Sequence, residues 1–209
     1  MTSYKINRVL IACGALSSLW YVAINIYVPM QYEGYDIASF TVSELSAIGA
    51  PTRKLWIALV VVYPLLFAAF GWGLLKSTQN NRALKTIGKL IIAYCIFNIY
   101  WPPMHQRGNQ PTLTDALHIA WASVTVLFMI VMMVIGAFAL KKSFRIFTIA
   151  SLILLTVFGI LTSTEAPNIP TNRPTPWIGV WERINIGIFM LWIMVLSITI
   201  LRRQNESNI

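Results

Sequence analysis

The sequence predicts an all-α polytopic membrane protein, a six-transmembrane-helix bundle with a short interfacial helix in the first outer loop. Of the 209 residues, 57% are hydrophobic and 11% are charged, and the mean hydropathy is +0.67. Soluble domains contain about 45–50% apolar and about 25% charged residues. A chain of this length cannot bury so many apolar side chains inside a globule. The composition therefore excludes an ordinary soluble enzyme, a disordered chain and a disulfide scaffold.

Six segments are apolar and long enough to cross a bilayer, which takes about 20 residues for about 30 Å of hydrocarbon. We predict a single integral membrane domain, residues 1–209, with spans at about 9–28, 55–75, 84–101, 115–140, 146–163 and 181–201. The third span is the weakest because Lys85 and Lys89 lie near its start, although such long side chains can extend to the membrane surface. Unbroken apolar runs favour helices over barrel strands, which alternate apolar and polar residues.

Charge is distributed unevenly along the chain, which carries a net charge of +9. Six spans place both termini on one side of the membrane, the inner side. Eleven of the sixteen Lys and Arg residues lie on that side, and six of the seven acidic residues lie on the other. Because positively charged loops stay in the cytoplasm, we expect a multi-pass protein of the cell membrane with both termini cytoplasmic. This asymmetry explains the net positive charge of the chain, so no nucleic-acid partner is predicted.

The three outer loops, 29–54, 102–114 and 164–180, are longer than the inner connections, and long loops often carry function. We predict a short amphipathic helix on the membrane surface over residues 39–50, because the apolar residues of this segment recur at helical spacing. The sequence Gly49-Ala50-Pro51 would end that helix. We therefore expect a functional site at the outer face.

Asp115 and His118 lie three residues apart at the start of the fourth span. A carboxylate and an imidazole at this spacing suit a general base or a metal ligand. Alternatively, Asp115 is an acidic residue that the helix dipole favours in the first turn, with Thr112 or Thr114 as the cap of that helix. An ionisable ring such as His118 is rare in a span and needs a polar partner.

Further candidates lie in the first outer loop and at the start of the last span. Ser43 and Glu44 fall in the predicted interfacial helix, where Glu44 either pairs with His118 or Arg183 or faces solvent. Glu182 suits a helix N-terminus, but Arg183 does not. Arg183 therefore needs a carboxylate or an anionic headgroup as its partner.

Several functions lack their usual residues. The chain has only two histidines and no HExxH, GxSxG or CxxC pattern, so no metal site is predicted and no cofactor is indicated. No acidic or basic residue lies near the middle of any span, which argues against an ion-coupled transporter or pump.

Several short strings resemble the bacterial six-span membrane family catalogued as domain of unknown function 998. They are Tyr35-Asp36, Phe40-Thr41-Val42-Ser43-Glu44-Leu45, Gly49-Ala50-Pro51, Asp115-Ala116-Leu117-His118, Glu182-Arg183 and Leu191-Trp192. The resemblance covers about residues 9–201. It implies the six-span architecture, and it implies no activity because the family has none assigned.

The leading functional hypothesis is a non-transporting membrane protein with a polar pocket at its outer face, which binds a lipid headgroup or a small polar molecule. Six residues would line this pocket: Ser43, Glu44, Asp115, His118, Glu182 and Arg183. The alternative is a membrane-embedded hydrolase, with or without a metal, that uses His118 with Asp115 or Glu44. A second alternative is a structural or assembly subunit without a ligand. Apart from the bilayer, the sequence indicates no particular partner.

Overall fold

The computed structural model describes residues 3–77 and 81–206 and is helical. The α-helices are α1 Ser3–Tyr27, α2 Arg53–Val60, α3 Val62–Ser77, α4 Arg82–Phe97, α5 Leu113–Ala137, α6 Lys142–Glu165 and α7 Ile178–Glu206. Three short 3-10 turns occur in the loops, at Pro29–Gln31, Ser43–Ser46 and Ala166–Asn168. The described residues contain no β-strand, and a single isolated bridge joins Ile48 to His105. The all-α class is therefore confirmed.

Five helical segments are long and apolar enough to cross a membrane, which makes the chain a multi-pass membrane protein. They are α1, α2 together with α3, α5, α6 and α7. The predicted third span corresponds to α4, which has only 16 residues and falls short of the roughly 20 that a full crossing takes. The count of six spans is therefore not confirmed by helix length.

The helices pack in a closed ring in which α1 contacts α3, and α4, α5, α6 and α7 follow in chain order until α7 returns to α1. Large aromatic side chains fill the centre, among them Phe67, Phe189 and Trp192, which are fully buried. The indole N–H of Trp192 donates to Thr148 Oγ1 at 2.9 Å, which pairs a buried donor. Apolar side chains such as Leu65 remain exposed on the outside, where lipid covers them.

The predicted second span is divided into α2 and α3 at Val61, and Pro64 explains the division. A proline in the first turn of α3 lacks the N–H that would bond to the Val60 carbonyl and crowds that turn. On α1, the indole N–H of Trp20 donates to the nearby Leu59 carbonyl at 2.9 Å. A side chain of a neighbouring helix therefore pairs with a backbone carbonyl near the break. Such pairing is required in lipid, where no water is present to bond to the carbonyl.

The bundle has two different ends, which we name inner and outer after the orientation that the sequence predicts. At the inner end, α1 begins and α7 ends, and the Tyr4 hydroxyl donates to the Gln204 carbonyl at 3.4 Å. The opposite, outer end carries a folded layer made of residues 28–52, 98–112 and 166–177, which we call the outer cap.

The amphipathic helix predicted over residues 39–50 is not confirmed, since only the 3-10 turn Ser43–Ser46 forms there. Thr41, Val42, Glu44 and Leu45 are buried in the cap, so this segment does not lie flat on the surface. Side chains from α7 and from the other outer loops bind the Val42 N–H and the Phe40 and Ser39 carbonyls, and those groups are therefore unavailable for helical hydrogen bonds.

The contact between α3 and α4 yields a stability prediction. A methyl group on Gly88 would lie 2.7 Å from the Gly71 carbonyl oxygen, and overpacking of this kind costs about 1–3 kcal/mol. We expect Gly88→Ala to lower the melting temperature of the detergent-solubilised protein. Gly187→Ala is the matched control because nothing lies within 4 Å of the added methyl group. Equal melting temperatures for the two variants would contradict the close contact.

Candidate functional site

A buried ion pair between Arg107 and Glu44 lies at the centre of the outer cap. Arg107 Nε donates to Glu44 Oε1 at 2.7 Å, and Nη2 donates to Oε2 at 2.9 Å. The Arg107 and Glu44 side chains are 15% and 3% exposed, respectively. Two parallel N–H···O bonds between a guanidinium and a carboxylate are stronger than a single contact and fix the mutual orientation of the two groups.

The same arginine joins all three outer loops. From the second loop, Arg107 Nη2 also donates to the Ser39 carbonyl at 2.8 Å in the first loop. Nη1 donates to Thr175 Oγ1 at 3.2 Å in the third loop, and the guanidinium lies 3.9 Å from the centre of the Phe40 ring. We predicted that Glu44 pairs with His118 or Arg183 or faces solvent. This prediction is wrong, because the partner of the Glu44 carboxylate is Arg107.

A second arginine, Arg183 of α7, binds the first outer loop, and among the described side chains no carboxylate is hydrogen-bonded to it. Its Nη1 lies 3.0 Å from the carbonyl oxygens of Ile37, Phe40 and Gly179, and its Nη2 donates to the Tyr35 hydroxyl at 2.6 Å. Among the described residues, backbone carbonyls and a phenol therefore take the place of the carboxylate expected for Arg183, and the other expectation, an anionic headgroup, stays a prediction.

Tyr35 and Gly179 allow this loop to lie against α7. Burial raises the pKa of the Tyr35 phenol, so the hydroxyl stays protonated and donates to the Thr41 carbonyl at 2.7 Å. A side chain at Gly179 would lie 2.3 Å from the carbonyl oxygens of Ile37 and Phe40. Only glycine allows this approach, because any β-carbon would overlap the loop backbone.

Glu182 also binds the first loop, since its carboxylate accepts a hydrogen bond from the Val42 N–H. The Ser43 hydroxyl faces the same carboxylate, and Glu44 accepts from the Thr41 N–H at 2.8 Å. Four of the six residues predicted to line a pocket, Ser43, Glu44, Glu182 and Arg183, therefore lie together around residues 40–44.

Asp115 lies at the start of α5 and forms a capping box with Thr112. Its carboxylate accepts from the Thr112 N–H and hydroxyl, both at 2.8 Å. The same carboxylate accepts from the His105 N–H at 2.7 Å and lies 2.9 Å from His105 Nδ1. These contacts match the helix-capping alternative for Asp115, with the second outer loop as its additional partner.

His118 is 6% exposed and faces the chain that follows α4. Its Nδ1 lies 2.7 Å from the Pro102 carbonyl oxygen and 3.1 Å from Trp101 Nε1. The first contact needs a proton on Nδ1 and the second needs a lone pair there, so only one hydrogen bond forms at a time. Within the described residues, no carboxylate is hydrogen-bonded to His118.

The hydrolase hypothesis gains no support from this arrangement. It requires His118 between carboxylates, whereas Asp115 and Glu44 are engaged with His105, Thr112 and Arg107. Across residues 3–77 and 81–206, no group of three or more His, Cys, Asp or Glu side chains is arranged to hold a metal ion.

Three members of the site were not predicted from the sequence: Arg107, Tyr35 and Thr175. Arg107 and Glu44 are 63 residues apart, and no periodic pattern relates two loops at that separation. One available signal was that most acidic residues of the chain lie on the outer side, where an arginine such as Arg107 has carboxylates to pair with.

The ion pair yields a second stability prediction. Removing one partner of a buried pair leaves the other charge unpaired and costs about 3–5 kcal/mol. We therefore expect Arg107→Ala to lower the melting temperature strongly and to make the outer loops more sensitive to protease. Arg173→Ala is the control, because Arg173 is an exposed arginine of the same cap. Similar melting temperatures for both variants would rule out a central role for Arg107.

Comparison with known proteins identifies the family. A family model described as Protein of unknown function (DUF998) matches residues 15–199. No curated protein matches the chain, and no solved structure matches it. The matched region contains every cap residue described above, so the resemblance seen in the short sequence strings is confirmed. The chain belongs to the family described as Protein of unknown function (DUF998).

Proposed function

We propose that this membrane protein binds a polar group, either a lipid headgroup or a small polar molecule, in the outer half of the bundle beneath the outer cap. The supporting observation is a pair of buried polar atoms without a hydrogen-bond partner among the described residues, Asn25 Oδ1 on α1 and Arg183 Nε on α7. An unpaired buried polar atom costs about 1–3 kcal/mol. Such atoms are rare in native proteins and indicate a missing partner.

The two atoms belong to neighbouring parts of α1 and α7. Asn25 lies one turn after Tyr21 and donates to its carbonyl at 2.9 Å. The Tyr21 phenol interacts electrostatically with both Glu182 and Arg183. In addition, Ile24 and Ile186 pack in the same apolar cluster.

The polar atoms define the chemistry of the ligand. Arg183 Nε–H needs an acceptor, and Asn25 Oδ1 needs a donor, so a hydroxyl group can serve both. A polyol, or a lipid headgroup that carries hydroxyls, meets this requirement. In this proposal Ser43, Glu44, Asp115 and His118 close the cap above the ligand, and Glu182 offers a further acceptor.

The proposal predicts a specific effect of Asn25→Leu. If a ligand pairs with Asn25, this variant loses the ligand and its melting temperature falls. If nothing binds, the variant loses the unpaired oxygen together with the hydrogen bond from Asn25 Nδ2 to the Tyr21 carbonyl, so its melting temperature should fall no more than that of Asn98→Leu, which loses paired groups. We expect mass spectrometry of the purified protein to detect a phospholipid or polar metabolite that the wild type retains and Asn25→Leu lacks.

Asn98→Leu provides the control, because the Asn98 side chain already pairs with the Tyr94 carbonyl and the Thr125 hydroxyl. This variant should retain the same bound compound as the wild type. If Asn25→Leu retained the same bound compounds and the same melting temperature as the wild type, the result would favour a structural or assembly role without a ligand.

We also infer six crossings, with both termini in the cytoplasm. In support, the start of α4 contacts the end of α5 through Asn81 Nδ2, which donates to the Ala139 carbonyl at 2.8 Å. The end of α4 contacts the first part of α5 through Trp121, which donates to the Phe97 carbonyl at 3.3 Å. A helix of 16 residues is roughly 24 Å long, and the chain continues from its end into residues 98–101 of the outer cap. The excess of inner Lys and Arg supports the orientation.

Cysteine labelling tests these crossings. We expect a membrane-impermeant maleimide to label Asn109→Cys in intact cells and to label Arg82→Cys only after permeabilisation. Both positions are exposed, and the native Cys13 and Cys95 are buried, so the wild type should give little background. Labelling of both variants from the same side would show that α4 does not cross.

A further inference from the structure

A cleft of about 320 Å³ opens at the inner end of the bundle, between the start of α6 and the end of α7. This cleft is at the opposite end of the helices from the site proposed above. Ligand binding at this cleft can therefore be tested separately from ligand binding at Asn25.

Three cationic side chains line the cleft: Lys141 before α6, and Arg202 and Arg203 near the end of α7. Among the side chains that the structure describes, in residues 4–77 and 81–205, the ion pairs join His105 to Asp115 and Arg107 to Glu44 at the outer end, and none of them involves these three cations. Ser143 adds a hydroxyl at the same edge, and the first turn of α6 adds its partial positive charge. Together these groups suit a phosphate.

Apart from Thr199, whose hydroxyl donates to the Val195 carbonyl at 2.7 Å, the rest of the cleft is apolar and extends towards the bilayer interior. Phe144 and Phe147 line it from α6, and Val195 lines it from α7. At 1.5 Å per residue, Val195 lies roughly 10 Å before Arg202 along α7, on the side of the bilayer interior. Cations thus lie at the membrane surface, and apolar side chains extend from them towards the bilayer interior.

We propose that this cleft binds an anionic phospholipid of the adjacent leaflet. The phosphate contacts Lys141, Arg202 and Arg203, and an acyl chain lies along Phe147 and Val195. This order of polar and apolar groups matches a phospholipid, whose phosphate is at the surface and whose chains are below it. Basic pockets between transmembrane helices bind anionic headgroups by this combination of charge and depth. A free phosphate would use the cations but not the apolar wall.

The experiment titrates the purified full-length protein in detergent with phosphatidylglycerol and, separately, with phosphatidylcholine, and measures binding by native mass spectrometry. We expect the wild type to bind phosphatidylglycerol at least tenfold more tightly. The double variant Arg202→Ala/Arg203→Ala should bind it about 30-fold more weakly, which is about 2 kcal/mol at roughly 1 kcal/mol per cation. Lys141→Gln is a milder second variant should the double variant fail to fold.

The matched control is Arg82→Ala/Lys85→Ala, which removes two cations of the inner end that do not line the cleft. Its affinity for phosphatidylglycerol should stay within about twofold of the wild type. An equal loss in the control would show that diffuse surface charge, rather than the cleft, attracts the lipid, and would overturn the proposal.

Two further outcomes would also overturn it. Equal affinity for the two lipids would exclude recognition of an anionic headgroup. Displacement of phosphatidylglycerol by millimolar inorganic phosphate, with the same rise in melting temperature, would show a site for free anions in which the apolar wall has no role.

Discussion

The contact between Arg107 and Glu44 is the interaction on which the outer half of the molecule depends. Irregular chain that lies against an apolar bundle must have its N–H and C=O groups paired, because little water reaches them. Arg107 pairs with Glu44, Ser39 and Thr175 and so joins three loops whose regular structure is limited to short 3-10 turns and one isolated bridge between Ile48 and His105. The ion pair therefore organises the cap, while the helices supply the platform beneath it.

The two ends of the bundle differ in how their charges are balanced. At the outer end, acidic and basic groups are buried against one another or against backbone, as Glu182 and Arg183 show. At the inner end, Lys141, Arg202 and Arg203 line one cleft without a described acidic partner. A balanced cluster stabilises the fold, whereas an unbalanced one attracts an anion. For this reason the best candidate for an anionic ligand is not in the long outer loops, where the sequence suggested that function would lie.

Long apolar runs predicted the helical class because lipid burial leaves a backbone few alternatives to helix. The α2–α3 break was also readable in principle, since Pro64 removes a helical hydrogen bond wherever it occurs. Residues 39–50 misled the prediction because apolar spacing indicates which side chains are buried but not which backbone groups are already bound. Asp115 was predictable as a cap because its partner Thr112 is three residues away.

The sequence by itself determined that the chain crosses a membrane through helices and that its positive charge collects at one end, since both follow from composition and order along the chain. Only the tertiary structure decided that Glu44 pairs with Arg107, that Arg183 binds carbonyls, and that Asn25 Oδ1 is buried without a described partner. These contacts join residues distant in sequence. Their energies depend on burial and on distances that arise only once the helices have packed.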